Sequence, residues 1–269
     1  MIIDFHTHVF PDKIAARTIA ALSATGRIPA HSDGTLDGLR GQMSLAGIDV
    51  AVNLPVLTSP HQFESVNRYA REINESFEGR GVLSFAGVHP DMENVCEEIR
   101  NLRKEGFLGI KIHPDYQGHF IDDDEYYLIL KTAKEEGLIT VTHAGVDGAY
   151  RDRPVRCTPE RAKRMLCRLG GYSRLVLAHL GGNEMHSEVY STLAGEDVYF
   201  DTSYILEDIE DELFLRIVER HGEDRILFAT DSPWQNEVRE VARLSRMPLG
   251  VSAKEKILFE NARGLLNLK

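Results

Sequence analysis

The chain has 269 residues, 42% of them hydrophobic, and a formal net charge of −11. That length suits one α/β barrel of about 250 residues, and the acidic balance disfavours nucleic acid as the main partner, because phosphate binding needs clustered Lys and Arg. Cys96, Cys157 and Cys167 are an odd, sparse set that argues against a disulfide framework, and no apolar run approaches the ~18 residues of a membrane span.

The first strand reads MIIDFHTH over 1–8 and ends in His6 and His8. Side chains at i and i+2 of an extended strand share a face, so the two imidazoles are expected side by side, with Asp4 behind them. The same stretch reads as a core strand rather than a signal peptide, which sets the expected location as cytoplasmic. Apolar strands follow at 47–56 and 81–90, the second ending in His89, with a helical window at 65–77 between them. After a helix over 93–106, FLGIKIHP (107–114) carries Lys111 and His113, again at i and i+2. The acidic run at 122–125 reads as a helix N-terminus, where carboxylates favour the dipole, and that helix extends to 137. LITVTHAG (138–145) brings His143, and Thr158 with Pro159 opens a helix over 158–171. RLVLAHLGG (174–182) brings His179, with Leu175, Leu177 and His179 expected on one inward face. A strand at 197–204, a helix at 211–222, RILFATDSP at 225–233 with Asp231, and a helix at 252–268 complete the chain.

Strand–helix alternation argues parallel strands joined by crossover helices. Eight strands predict closure into a single (β/α)8 TIM barrel, one domain over 1–269. An open doubly wound sheet is the weaker reading, because GIKIHP and LAHLGG supply no G-x-G-x-x-G fingerprint.

The C-terminal ends of barrel strands meet at one mouth, where barrel active sites are built. His6, His8, His89, Lys111, His113, His143, His179 and Asp231 all fall at such ends. A lone histidine there is ordinarily just hydrogen-bonded, and Lys111 with Asp231 suits a structural ion pair. The joint pattern points instead to a metal centre. Neutral imidazole and carboxylate are the usual zinc ligands, an open position takes water whose pKa falls to about 7, and an unligated neighbour moves protons. Zinc is the expected ion, although Mn, Fe or Co suit the same donors. His31, His61, His119, His186 and His221 lie in loops or helices and receive no such role. The loop after His143 carries Arg151, Arg153 and Arg156, which suit recognition of a substrate carboxylate or serve as solvated surface charge.

These motifs resemble the amidohydrolase superfamily, specifically the amidohydrolase-related group that also contains aromatic-acid decarboxylases. DFHTHVF resembles its strand-one His-x-His, THAG and LAHLGG its strand-five and strand-six histidines, ILFATDSPW its strand-eight aspartate, and KILFENARGLLNL its terminal helix. The resemblance implies metal ligation by His6, His8, His143 and Asp231. It implies proton transfer by His179, or ligation by it in a two-metal site. Lys111 resembles the strand-four lysine that some branches carboxylate to bridge two metals; one ion, with Lys111 as an amine, is the expectation. FAGVHP is similar to the TatD-like nucleases, but their strand-four glutamate motif is replaced by Lys111. The function expected first is hydrolysis of an amide, ester or lactone bond in a small anionic molecule through metal-activated water. Catalysis would involve His179, Asp231 and Lys111, and His89, His113 and the three arginines would contact substrate. The alternative is non-oxidative decarboxylation of a small aromatic or unsaturated acid, and a third reading is a metal-binding barrel without turnover. A homodimer is the default assembly.

Overall fold

The structure, a computed structural model, describes residues 1–268; Lys269 lies outside the described residues. Strands β1 (Ile3–Thr7), β2 (Val50–Asn53) and the first part of β3 (Val82–Ser84) form a three-stranded parallel sheet. The second part of β3 (Ala86–Gly87) begins a six-stranded parallel sheet with β4 (Gly109–Ile112), β5 (Ile139–Thr142), β6 (Leu175–Leu177), β7 (Tyr199–Asp201) and β8 (Ile226–Leu227). Phe85 interrupts β3, and its amide still donates to Asn53 O at 3.0 Å. The last and first strands are joined as well: Phe5 N donates to Phe228 O at 2.9 Å, Asp231 N to His6 O at 2.9 Å and His8 N to Ser232 O at 2.7 Å. The eight strand positions therefore make one ring, the (β/α)8 arrangement expected. No helix of the described residues is long and apolar enough to cross a membrane.

The interior of the ring is filled by Ile3, Phe5, Val50, Val52, Phe85, Val141, Val176, Leu227 and Ala229, and Ala262, Leu265 and Leu266 of the C-terminal helix pack on the same cluster. Phe5 and Phe85 meet edge to face, with ring centroids 5.9 Å apart; each such ring, fully buried, contributes about 1.5–3 kcal/mol. The expected helix at 252–268 runs in three pieces, Val251–Glu255, a wider π turn over Lys256–Glu260, and Asn261–Leu266. The wider turn frees Ile257 O, which accepts from Phe228 N at 2.9 Å and ties this helix to the barrel wall. Helices Asp12–Gly26, Leu36–Ala46 and Glu237–Arg246 are not marked out by the sequence windows. In Leu36–Ala46 the reason is local: Gly38 and Gly41 weaken its helical propensity, and the Thr35 cap with Gly47 at the left-handed end sets its limits instead.

Two strand expectations are corrected. In β1, Ile3 pairs with Val50 and Asp4 with Ala51, but Thr7 pairs with Asn53, so β1 holds one extra residue between. Regular alternation allows only one of Phe5 and His6 to face inward; the bulge turns Phe5 into the core and His6 into the mouth. Asp4 is thereby not behind the histidines. It bonds Thr230 Oγ1 at 2.6 Å and feels the charge of Glu237, on the helix-facing side of the wall. In β6 the inward residue is Val176, while Leu175 and Leu177 pack in the outer core against the helices. His179 reaches the mouth because the chain leaves β6 through two left-handed residues, His179 (φ 58) and Leu180 (φ 53).

Gly109 is a close-approach position, since a Cβ there would stand 2.5 Å from Phe85 Cε2 and 2.7 Å from Ile139 O. The backbone oxygen cannot swing away, so Gly109→Ala is expected to cost about 1–3 kcal/mol. Urea unfolding of the two proteins measures this, and equal midpoints would show that the barrel interior has slack at this level.

Candidate functional site

His6 Nδ1 lies 2.9 Å from Asp201 Oδ2, at the end of β7. Burial alone would raise the Asp201 carboxyl. The charges of His6 and His179 and the hydrogen bonds from His6 and Ser203 outweigh it and hold Asp201 well below the usual carboxylate range. An ionised Asp201 accepts from His6 Nδ1–H, which leaves the Nε2 lone pair facing the mouth. Burial, assisted by the Lys111 charge, lowers His6 to about 4, so the ring is neutral at pH 7. His8 donates Nδ1–H to Leu54 O at 2.9 Å, which likewise turns its Nε2 to the mouth. Asp231 Oδ1 stands 3.1 Å from His8 Nε2 and 3.4 Å from His6 Nε2. Burial opposes its ionisation, but the His8 hydrogen bond and the His6 and His8 charges keep it near 2.

Three acceptor atoms thus point at one another, and only positive charge between them makes the contact favourable. A second proton on His8 answers one contact. A divalent cation answers all three, and two imidazoles with one carboxylate are the donor set such an ion takes. The ligand atoms of His6, His8 and Asp231 all lie within 4.8 Å of one another. The residues therefore fit a metal.

Lys111 is buried beside this group, with Nζ 3.2 Å from His6 Nε2. Burial lowers its pKa to about 8, against the pull of Asp201 and Asp231. His179 is oriented from behind: Nδ1 lies 2.9 Å from Ser203 O, and its Nε2 is 2.9 Å from His143 Nδ1. His143 does not join the His6–His8–Asp231 group; it stacks on His113, centroids 4.3 Å apart, and groups with His113 and Asp147. His89 is buried at the β3 end, where Nδ1 accepts from Asp91 N at 3.2 Å, and it belongs to neither group. The arginines sit in the loop after His143 with other partners. Arg151 pairs with Glu184, Arg153 lies over the Tyr150 ring, and Arg156 donates to Gly118 O at 2.6 Å. Asp201, Ser203 and Asp147 were not singled out among the candidates. The signal for the first two was present, because DVYFDTSY also ends polar at the mouth.

An amidohydrolase family model matches residues 3–268. The chain belongs to the amidohydrolase family. No curated protein sequence matches it. Among solved structures it is similar to a dihydroxybenzoic acid decarboxylase from a Polaromonas species with bound manganese, at 17% identity and TM-score 0.72, covering 99% of this chain and 97% of that one. A 2,6-dihydroxybenzoate decarboxylase from Rhizobium matches at 17% identity and TM-score 0.69, covering 99% and 98%. A 5-carboxyvanillate decarboxylase from Sphingomonas paucimobilis matches at 18% identity and TM-score 0.65, covering 100% and 99%. These likenesses establish the barrel of this amidohydrolase as one shared with decarboxylases.

Asp201→Asn keeps the shape of the carboxylate but no longer fixes the His6 tautomer by charge. We expect it to weaken metal retention by about 10–100-fold, read by competition with a chromophoric chelator. Unchanged retention would remove Asp201 from the site.

Proposed function

We propose that this amidohydrolase-family protein is a metal-dependent carboxy-lyase that removes CO2, without oxidation, from a small aromatic or unsaturated acid. The observation that carries the reading is Lys111, a buried amine 3.2 Å from His6 Nε2 at the edge of the metal-competent group. Its pKa of about 8 leaves it poised, and a carboxylate placed against it favours the charged form. A substrate carboxylate adds a partner for this cation beyond Asp201 and Asp231, which a neutral amide or ester does not. The similar solved structures, decarboxylases matched over their whole length, support the same choice. Hydrolysis, the reading placed first on sequence, retains support from the family description.

A divalent ion bound by His6, His8 and Asp231 supplies Lewis-acid polarisation of a substrate oxygen. Zinc and manganese both suit these donors. Lys111 orients the carboxylate. The bond from ring or vinyl carbon to the carboxylate carbon breaks, its electron pair stays on the ring or vinyl carbon, and that carbon takes a proton as CO2 leaves. His179 is the group placed to deliver the proton, with its ring held by Ser203 O. His143, 2.9 Å from His179 Nε2, is the neighbour through which the proton is replenished.

The test is product analysis of protein loaded with zinc or manganese and supplied with 2,6-dihydroxybenzoate and 5-carboxyvanillate in D2O. We expect CO2 release and one deuterium at the vacated carbon. Lys111→Met should lower kcat/KM by on the order of 10–100-fold, the worth of a charged hydrogen bond. Turnover of ester or lactone probes with 18O uptake from water and no CO2 from any acid would overturn the lyase in favour of the hydrolase.

A further inference from the structure

We propose that Glu237, acting through Ser232, is a positioning residue that holds the Asp231 carboxylate in the mouth from behind the barrel wall. The inference deepens the metal-centre reading above and rests on it. Asp231 has a left-handed backbone, at φ 68, so the residues on either side must hold its direction. Ser232 is held at three atoms. Its hydroxyl donates to Glu237 Oε1, its amide donates to Thr230 Oγ1 at 3.0 Å, and its carbonyl accepts from His8 N at 2.7 Å. The bond from Ser232 N to Thr230 Oγ1 closes a loop around Asp231. Thr230 is fixed in turn by Asp4, to which its hydroxyl donates at 2.6 Å and its amide at 3.0 Å. Because Asp4 takes the Thr230 hydroxyl proton, Thr230 Oγ1 is left to accept from Ser232 N.

Glu237 supplies the tie to the surrounding helices. It is the first residue of the helix Glu237–Arg246, whose start is fixed by the Asn236 side chain accepting from Arg239 N at 3.1 Å. A carboxylate in that position is favoured by the helix dipole. Glu237 is 0% exposed and Ser232 1%, so water does not replace the bond between them. The other Glu237 oxygen, Oε2, has no partner among the described residues. Glu240 is equally buried on the same helix, yet neither of its oxygens meets a donor. It separates the effect of a buried carboxyl from the effect of this particular bond. Releasing Ser232 would loosen two groups at once, since Asp231 Oδ1 stands 3.1 Å from His8 Nε2 and the His8 backbone is bound to Ser232 O.

The test uses full-length Glu237→Met, Glu237→Gln, Ser232→Ala and Glu240→Met. The readouts are competition for Zn2+ with a chromophoric chelator, the visible absorption of Co2+-loaded protein, and crystal structures of the metal-free proteins. Glu237→Met and Ser232→Ala should each weaken metal retention by about 10–100-fold and alter the cobalt spectrum, and the double variant should lose no more than either alone. Glu237→Gln, whose amide oxygen still accepts from Ser232, should keep wild-type affinity and spectrum. Glu240→Met should leave both metal readouts at wild-type values whatever its thermal midpoint. Wild-type affinity and spectrum in Glu237→Met overturn the proposal, as does an equal loss in Glu240→Met or additive losses in the double variant. A wild type whose cobalt spectrum is unchanged by His6→Ala/His8→Ala refutes the metal-centre reading instead. The metal-free crystals then decide: the proposal stands if Asp231 leaves its left-handed conformation in Glu237→Met or Ser232→Ala, and falls if it keeps it in both.

Discussion

The hydrogen bond between His6 Nδ1 and Asp201 Oδ2 spans 195 residues of sequence and joins β1 to the end of β7. Much of the site depends on it. It assigns the proton of His6 to Nδ1 and presents the Nε2 lone pair to the mouth, where Lys111 Nζ stands 3.2 Å away. Asp201 simultaneously accepts from the backbone amides of His179 and Ser203, at 3.0 Å and 3.1 Å. The same carboxylate therefore fixes a candidate ligand, the turn that carries the candidate proton donor, and Ser203, whose carbonyl holds that donor's ring. A charge this buried is tolerable because both of its oxygens accept hydrogen bonds.

Backbone irregularity places the other groups. The β1 bulge allows a core phenylalanine and a mouth histidine to be adjacent in sequence. His179 and Asp231 both adopt left-handed backbone, at φ 58 and 68. Left-handed backbone is uncommon outside glycine, and although Asp and His adopt it more readily than most residues, the surroundings must still hold it. Here the compensation is visible: His179 N is bound by Asp201, and Asp231 N donates to His6 O at 2.9 Å. Strain is concentrated at the mouth, where function is proposed, while the barrel floor is a regular apolar plug.

The barrel and the strand-end residues were legible because both rest on period. Alternating strand and helix windows give the architecture, and titratable residues closing apolar runs mark one rim. Orientation was less legible. Simple alternation placed Asp4 with the histidines and Leu175 with His179, and both fail where a bulge or a left-handed turn breaks the period. The partition of the histidines also lay beyond sequence. His143 and His6 sit on equivalent strand ends, yet a hydrogen-bond chain through His179 and Ser203 turns His143 towards His113 and Asp147. The supporting carboxylate, Asp201, was passed over because a single aspartate at the end of a strand has no motif of its own.

The central claim is that the neutral His6 tautomer, with His8 and Asp231, makes one metal site. Anomalous diffraction from zinc-loaded crystals at the zinc edge tests it most directly. We predict a peak about 2.0–2.2 Å from His6 Nε2, His8 Nε2 and an Asp231 oxygen, with Asp201 still bound to His6 Nδ1. Zinc-loaded crystals with no peak among these three atoms, or with the His6 ring turned so that Nδ1 meets the ion, would contradict it.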